Sequence, residues 1–299
     1  MSPSRYQPHV IGIVAAVAGV VAISFDALLV RLAETSAWNV TFWRGWLICA
    51  SLGAYELLRG ARPRWPADRG LATAMVMVML VFGIDTALFV LSVSNTTVAN
   101  VVVILASSPF FAALFSLVFL RERVRRQTLL AIVAAALGVA IVFAGGARIG
   151  TSLGDVLALV LAMLMGAVLT ILRRFPDIRR VPVVCGSGAV AGLIAWPFAH
   201  PLAIGAQSAA ALGVMGLVQM PLAMVLIATA TRYLPAPEVS LFLLIETVLG
   251  PVWVWLALGE QPPSLTLYGG AVVLLAVAGH SWHALRRQQR RSFPPAGHV

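Results

Sequence analysis

Three charged side chains lie well inside the first three long apolar stretches of the chain, away from the ends, where they could hold or exchange a proton. Asp26, Arg44 and Asp85 lie beyond the midpoints of their stretches by similar amounts. At 1.5 Å per helical residue the offset is about 6–8 Å for all three, so one layer of a helix bundle could contain them. Two carboxylates beside one guanidinium leave a surplus negative charge that burial opposes, so one carboxyl is expected to bind a proton. A structural role, in which Arg44 ties three helices together, is the alternative.

A fourth acid, Glu246, lies at the centre of a later apolar stretch. Glu246, Gly250 and Trp253 follow the i, i+4, i+7 spacing that places side chains on one helix face. Gly250 would open space beside the acid, and Trp253 would offer an aromatic wall to an aromatic or cationic ligand. Pro251 removes a backbone hydrogen bond to the carbonyl of Thr247, which predicts a kink or break. The alternative is an acid satisfied by neighbouring hydroxyls in a packed core.

Two other positions carry weaker signals. Gln219 lies mid-stretch just before Pro221, and its amide suits either a ligand contact or a link between two helices. Pro109 predicts a break in the middle of the fourth stretch. Pro109, Gly250 and Pro251 are therefore the expected sites of helix breaks or gating, because broken membrane helices often border a binding site.

The composition indicates which solvent surrounds these stretches. Of 299 residues, 60% are hydrophobic and 11% are charged, with a mean hydropathy of +0.94; soluble domains have roughly 45–50% apolar and 25% charged residues. Apolar runs of about 20 residues, enough to cross a bilayer core of roughly 30 Å, recur along the chain. We therefore predict an integral membrane protein. Cys49 and Cys185 lie inside such runs, and their spacing predicts neither a disulfide framework nor a metal site.

Charged and Pro/Gly/Asn-rich breaks divide the apolar sequence into ten predicted transmembrane helices, which makes the fold class all-α. The predicted spans are residues 10–32, 38–58, 71–91, 98–120, 128–144, 153–172, 182–200, 209–230, 237–257 and 266–284.

The arginines predict the orientation of these helices. All 21 basic residues are arginine, and all except Arg31, Arg44 and Arg148 fall on one side of the ten spans. Positively charged loops stay in the cytoplasm, so both termini are expected there. The net charge of +10 is therefore a topology signal and not a nucleic-acid surface. Because the opposite loops are short and nearly uncharged, any function must lie among the helices.

A weak internal repeat relates the two halves. At a spacing of 138 residues, Glu122 aligns with Glu260 near the ends of spans 4 and 9. Each half holds an odd number of helices, so the second half must enter the membrane from the opposite side. We predict two inverted five-helix repeats, residues 1–146 and 147–299, the second ending in a basic cytoplasmic tail. Many secondary transporters have this architecture and bind substrate near the midplane between the repeats. Chance alignment of two glutamates is the alternative.

The ten-helix inverted repeat, the phrase Val-Thr-Phe-Trp-Arg-Gly at residues 40–45 and the Leu-x-Glu endings at Glu122 and Glu260 resemble the EamA type of the drug/metabolite transporter superfamily. The resemblance covers nearly the whole chain. It implies a helix bundle with a central cavity, a bacterial inner-membrane location, and transport of amino acids, vitamins, nucleoside-like metabolites or toxic compounds, more often outward. The family has a proline at matching positions of both repeats, but here Pro109 in the first half is matched by Thr247 in the second. The gates formed by the two halves are therefore not expected to be simply symmetric.

These observations lead us to expect secondary active transport of a small metabolite by alternating access. The substrate would be an amino acid, a vitamin-like compound or an amphipathic or cationic compound, exported or exchanged, with proton coupling as an option. Import of a vitamin or nutrient is the alternative within transport, and an accessory subunit or membrane-embedded enzyme is the alternative from another class. We expect no catalytic residues, no cofactor and no metal site. The expected partners are the substrate, protons and lipid, without nucleic acid, and a homodimer is left open.

Overall fold

The computed structural model describes residues 6–60, 65–119, 126–149, 152–234 and 236–292, and these residues form helices without strands. We number ten spans in chain order. Spans 1 to 5 are Tyr6–Ser24 with Asp26–Leu32, Ala37–Leu58, Arg69–Asn95, Val98–Leu105 with Ser108–Phe119, and Arg126–Ile149. Spans 6 to 10 are Ser152–Arg174, Arg180–Ala195, Ala206–Gly213 continuing through a π-helical turn Val214–Gln219 into Met220–Tyr233, Ala236–Leu258, and Ser264–Ser292.

Length and hydropathy mark most of these helices as membrane segments. Among the described residues, five are long and apolar enough to cross a bilayer: Val10–Leu32, Arg69–Asn95, Val98–Phe119, Leu153–Arg174 and Ala206–Ile227. Four shorter apolar helices are Leu130–Gly145, Arg180–Ala195, Ile245–Leu258 and Ser264–Gly279. Each of the ten predicted spans coincides with an observed one. The ends differ most at span 10, which continues to Ser292 because a helix can leave the bilayer while hydropathy marks only the apolar part.

The two halves of the chain pack symmetrically. If spans 1 to 5 are exchanged with spans 6 to 10 in order, the same main pairs of spans are in contact. Span 2 packs on span 7, and span 5 packs on span 10, so these pairs map onto themselves. Span 1 packs on span 8 as span 3 packs on span 6, and span 1 meets span 9 as span 4 meets span 6. The main contacts therefore run between the two halves, as expected when neither half can bury its own polar and small-residue faces alone.

Glycines allow the closest of these contacts. A Cβ atom added to Gly45 in span 2 would lie 2.5 Å from the carbonyl oxygen of Gly188 and 2.6 Å from the nitrogen of Gly192 in span 7. Spans 5 and 10 meet in the same way, at Gly138 and Gly269. Small residues at such crossings bring backbones together in lipid, where the hydrophobic effect gives helices no reason to associate.

Three spans in the described residues are irregular. Span 1 is interrupted at Phe25, and span 4 at Ala106 and Ser107, just before Pro109. Span 8 widens into its π-helical turn immediately before Pro221, whose missing N–H removes one bond of the regular ladder.

The break expected in span 9 is not present. A single helix, Ala236–Leu258, runs through Gly250 and Pro251. One missing hydrogen bond does not end a helix whose remaining backbone groups have no water to bond with inside a bilayer. The predicted break is therefore wrong, and a kink at Pro251 stays a prediction.

Candidate functional site

A buried ion pair joins spans 1 and 2. Asp26 begins the second helix of span 1, directly after the interruption at Phe25, and Arg44 lies in the middle of span 2 beside Gly45. Arg44 Nη2 is 2.8 Å from Asp26 Oδ2, and the two side chains are only 5% and 9% exposed. The close approach of spans 2 and 7 at Gly45 fixes the backbone that carries Arg44.

Span 3 adds a second acid and an aromatic ring to the guanidinium. Asp85 is buried, and its charge interacts with that of Arg44. Its Oδ1 atom has no hydrogen-bond partner among the described residues. Phe89, one turn further along span 3, places its ring centroid 5.2 Å from Arg44 Cζ, in cation–π range. Arg44 on span 2 therefore contacts Asp26 on span 1 and Phe89 on span 3.

Span 9 closes the site from the second half. Glu246 is half-buried, and its carboxylate interacts electrostatically with that of Asp26. Trp253 stacks on Phe25, with ring centroids 4.8 Å apart and planes 13° from parallel. Its indole Nε1 donates to Ser24 Oγ at 2.9 Å. Trp253 therefore covers the interruption of span 1. Its role as an aromatic wall for a ligand stays a prediction. Gly250 leaves room beside it, since an added Cβ atom would have its nearest neighbour 3.7 Å away.

Gln219 supports the same interruption from span 8. Its Nε2 donates to the carbonyls of Ala22 and Ile23 at 3.0 and 3.4 Å. These carbonyls precede the irregular residue Phe25, where the helical ladder is disturbed. The amide thus links spans 1 and 8, which is the second of the two roles considered for it. Its Oε1 atom remains without a hydrogen-bond partner among the described residues.

Several buried hydrogen-bonding atoms in the site have no partner among the described residues. Within the described residues, Asp26 Oδ1, Arg44 Nε, Arg44 Nη1, Asp85 Oδ1 and Gln219 Oε1 are all buried and unpaired. Buried polar atoms are nearly always hydrogen-bonded, so such a concentration points to a place where a polar ligand or protons bind. The charges of Asp26 and Asp85 interact with that of Arg44, and the charge of Glu246 interacts with that of Asp26, so the site holds more acids than bases.

A second polar cluster, at the start of spans 4, 6 and 10, was not predicted. Asp155 is fully buried, and its Oδ1 accepts from Thr96 Oγ1 at 2.7 Å and from Asn100 Nδ2 at 2.8 Å. Thr266 Oγ1 donates to Asn100 Oδ1. Polar residues are ordinary at helix ends, so composition gave no reason to single these out. The helix-start pattern of Thr97 before span 4 and an acid in the first turn of span 6 was the available signal.

One catalytic-type pattern does occur, at residues 150–154, which read Gly-Thr-Ser-Leu-Gly. A Gly-x-Ser-x-Gly nucleophile needs a strand before it and a helix after it. Here the preceding described segment is the helix Arg126–Ile149, and Ser152 begins span 6. Because no strand precedes Ser152 in the described residues, the pattern does not indicate a nucleophilic serine. Glu122 lies outside the described residues.

The geometry defines a polytopic membrane protein with a buried, acid-rich site between two inverted halves, which is the class of secondary transporters. A sequence model of the EamA-like transporter family matches residues 10–144 and 152–282. The chain belongs to this family and is a multi-pass membrane transporter of the drug/metabolite transporter superfamily.

Two further comparisons address fold and sequence separately. One solved crystal structure, described only as that of a protein, is similar to this chain with a TM-score of 0.62 at 17% identity, over 92% of this chain and 98% of its own. That likeness concerns the fold. None of the curated proteins matches the sequence. The predicted family and the predicted all-α fold of ten helices in two inverted repeats are confirmed. The repeat boundaries at 1–146 and 147–299 stay a prediction.

Proposed function

We propose that the protein moves a small cationic or zwitterionic metabolite across the bacterial inner membrane by alternating access, with export or exchange as its direction. The supporting observation is the acid-rich layer of Asp26, Asp85 and Arg44 in the first half, together with Glu246 of the second half, whose charge interacts with that of Asp26. A site made jointly by two halves changes shape when they rock against each other, which alternating access requires.

The charge balance supports this substrate class. A carboxylate inside a membrane costs at least about 2.5 kcal/mol on insertion scales unless it is paired, hydrated or protonated. Arg44 binds Asp26 directly, which leaves Asp85 and Glu246 without a direct ion pair among the described residues. A substrate amine or a proton would satisfy them. Amino acids, vitamin-like bases and amphipathic cations all carry such a group.

Exchange between proton and amine gives the mechanism. When the site is empty, protons on the surplus carboxyls keep the buried charge low. A substrate amine displaces a proton because both need the same oxygen atoms, and the released proton leaves on the side to which the site is open. Glu246 is the residue that we assign to this exchange, because it has no direct ion pair among the described residues and its charge interacts with that of Asp26 in the other half. Asp26 supports the exchange through its ion pair with Arg44.

The orientation follows from the arginines. We infer that both termini and the basic tail face the cytoplasm, since 18 of the 21 arginines fall on that side of the ten spans. The end of the bundle that carries the loops between spans 1 and 2, 3 and 4, and 9 and 10 then faces outward. The substrate would leave through that end during export.

Flux in proteoliposomes tests the proposal. Purified protein is reconstituted, a pH gradient is imposed, and pooled amino acids, vitamins and cationic drugs are screened against empty liposomes. We expect saturable, gradient-driven movement of at least one pool without chemical change to the solute. Glu246→Gln and Asp26→Asn should each lower the flux by about tenfold or more, equivalent to about 1.4 kcal/mol or more of lost stabilisation.

Glu56→Gln is the matched control. It makes the same chemical change as Glu246→Gln, but at an ion pair with Arg179 where the side chains are 20% and 44% exposed. Flux in this variant should stay within about twofold of the unmodified protein, because exposed pairs contribute little. Normal flux in both site variants across a pH series would show that the carboxyl exchange is wrong. Silence from folded protein across every pool would favour an accessory subunit.

A further inference from the structure

A partly exposed ion pair closes the end of the bundle beyond the acid-rich layer. Arg31, in the last turn of span 1, places its Nη2 3.1 Å from Glu260 Oε2. The same nitrogen donates to the carbonyl of Thr96 at 2.8 Å. Glu260 Oε1 accepts from the backbone N–H of Val98, the first residue of span 4, at 2.9 Å. One carboxylate of the second half thus holds the ends of spans 1 and 4 of the first half.

The backbone beside Glu260 is shaped for this contact. Gly259, which follows span 9, has a φ of +71°, a left-handed conformation that favours glycine. The turn directs the chain from span 9 back over span 4. Glu260, Val98 and Ala99 line one narrow crevice that is too small to hold a water molecule. Val98 and Ala99 are 0% and 5% exposed, so the path behind the pair is closed.

The two ion pairs of span 1 differ in their environment. Arg31 and Glu260 have side chains that are 28% and 24% exposed, so water can replace either partner. The side chains of Asp26 and Arg44 are only 9% and 5% exposed, so water cannot easily replace either partner of that pair. A contact that opens and recloses during transport needs the first kind of environment, because breaking a solvated pair costs little.

A single short helix connects these two pairs. The helix Asp26–Leu32 has Asp26 at its first position and Arg31 in its last turn, and Phe25 separates it from the rest of span 1. Five residues of helix place the two side chains about 7–8 Å apart along the axis. A rigid unit of this length transmits a displacement at one end directly to the other.

We propose that the helix Asp26–Leu32 is the outer gate of the transporter, and that the contact among Arg31, Glu260 and Val98 is its latch. Loss of the Asp26–Arg44 pair lets the helix move about Phe25, which draws Arg31 away from Glu260 and opens the path to the site. The buried cluster around Asp155 stays intact and holds the starts of spans 4 and 6 in place. This proposal rests on the alternating-access function and the orientation proposed above.

Accessibility of a single thiol measures the gate without any substrate. Cys49 and Cys185 are changed to alanine, and Ala99→Cys places a reporter in the closed crevice beside Glu260. Right-side-out and inside-out vesicles are treated with a membrane-impermeant maleimide, and the labelling rate is followed. The reporter in the otherwise unmodified background should react slowly, since residue 99 is 5% exposed.

Glu260→Gln and Arg31→Gln should each speed labelling from the outside by several-fold, up to about tenfold. The double variant should open no further than either single one, because both changes break the same contact. Asp26→Asn should also speed labelling, although it lies at the other end of the helix. Glu56→Gln is the control at the opposite end of the bundle and should leave the rate unchanged.

Unchanged labelling in both latch variants would overturn the latch, and unchanged labelling in Asp26→Asn alone would overturn the coupling through the helix. Faster labelling only from the cytoplasmic face would overturn the assignment of this gate to the outer side. Failure of the proposed function looks different: the gate variants then open as expected, while the flux assay stays silent for every solute pool. Melting curves of each variant in detergent exclude unfolding as the cause of faster labelling.

Discussion

Replacing Gly45 by alanine should damage the protein out of proportion to the one methyl group added. The new Cβ atom would lie 2.5 Å from the carbonyl oxygen of Gly188 and 2.6 Å from the nitrogen of Gly192. Both neighbours are backbone atoms of span 7, so no side-chain rotation can relieve the overlap. Spans 2 and 7 must instead move apart by roughly 1 Å to reach ordinary van der Waals separation.

The magnitude follows from two opposing contributions. Overpacking a tight contact costs about 1–3 kcal/mol, and separating the helices also weakens dispersion contacts along the crossing. Alanine favours a helix over glycine by about 0.5–1 kcal/mol. The net expectation is a loss of about 1–2 kcal/mol of stability. Since Arg44 is the preceding residue, the displacement also moves its guanidinium relative to Asp26.

Thermal unfolding in detergent, followed by helical circular dichroism, measures the loss, and flux in proteoliposomes measures the effect on the site. Gly53→Ala is the matched control in the same helix, because its added Cβ atom would have its nearest neighbour 3.7 Å away, at Cys185 Sγ. That variant should melt at the same or a higher temperature and transport normally. If Gly45→Ala melted with Gly53→Ala and transported equally well, the close approach of spans 2 and 7 would be wrong.

Three other changes test separate parts of the structure. Cys49 and Cys185 Sγ atoms lie 3.5 Å apart, so copper phenanthroline should join them into a disulfide that protects both from maleimide; continued labelling of both would contradict the pairing of spans 2 and 7. Asp155→Ala strands two buried donors and should cost about 1–3 kcal/mol for each in a melting experiment, whereas an unchanged melting temperature would rule out that role. Arg44→Leu alone should destabilise by about 3–5 kcal/mol, and adding Asp26→Leu should restore part of that loss; strictly additive effects would mean that the two side chains are not coupled.

Hydropathy predicted all ten spans because a bilayer permits few alternatives to a helix. The depth of a charge along each span also predicted a layer of Asp26, Arg44 and Asp85, since helical rise converts residue number into distance. The ion pair of Asp26 and Arg44 agrees with that layer, and its role in binding stays a prediction. These two inferences need no knowledge of which helix faces are in contact. They can therefore be made from the sequence alone, whereas inferences about side-chain contacts cannot.

Local breaks were harder to predict than the spans. Span 1 is interrupted at Phe25 without proline or glycine nearby, because Gln219 and Trp253 from other spans support the irregular backbone. Span 9 keeps its helix despite Pro251. The contacts at Phe25 come from residues far away in sequence, and the continuity of span 9 follows from the lack of water inside the bilayer. The latch at Arg31 and Glu260 was invisible for a similar reason, since charges at helix ends are common and only the fold brings these two together.

The uneven distribution of breaks has an energetic consequence. Two perfectly equivalent inverted halves would make the inward-open and outward-open states images of each other, and hence equal in free energy. Span 4 is broken near its middle, whereas its counterpart span 9 is continuous. Under the proposed alternating access, this difference makes the two states unequal in free energy, and we expect the empty protein to prefer one of them. A preference of about 1.4 kcal/mol would already place ten molecules on one side for each on the other, before any gradient acts.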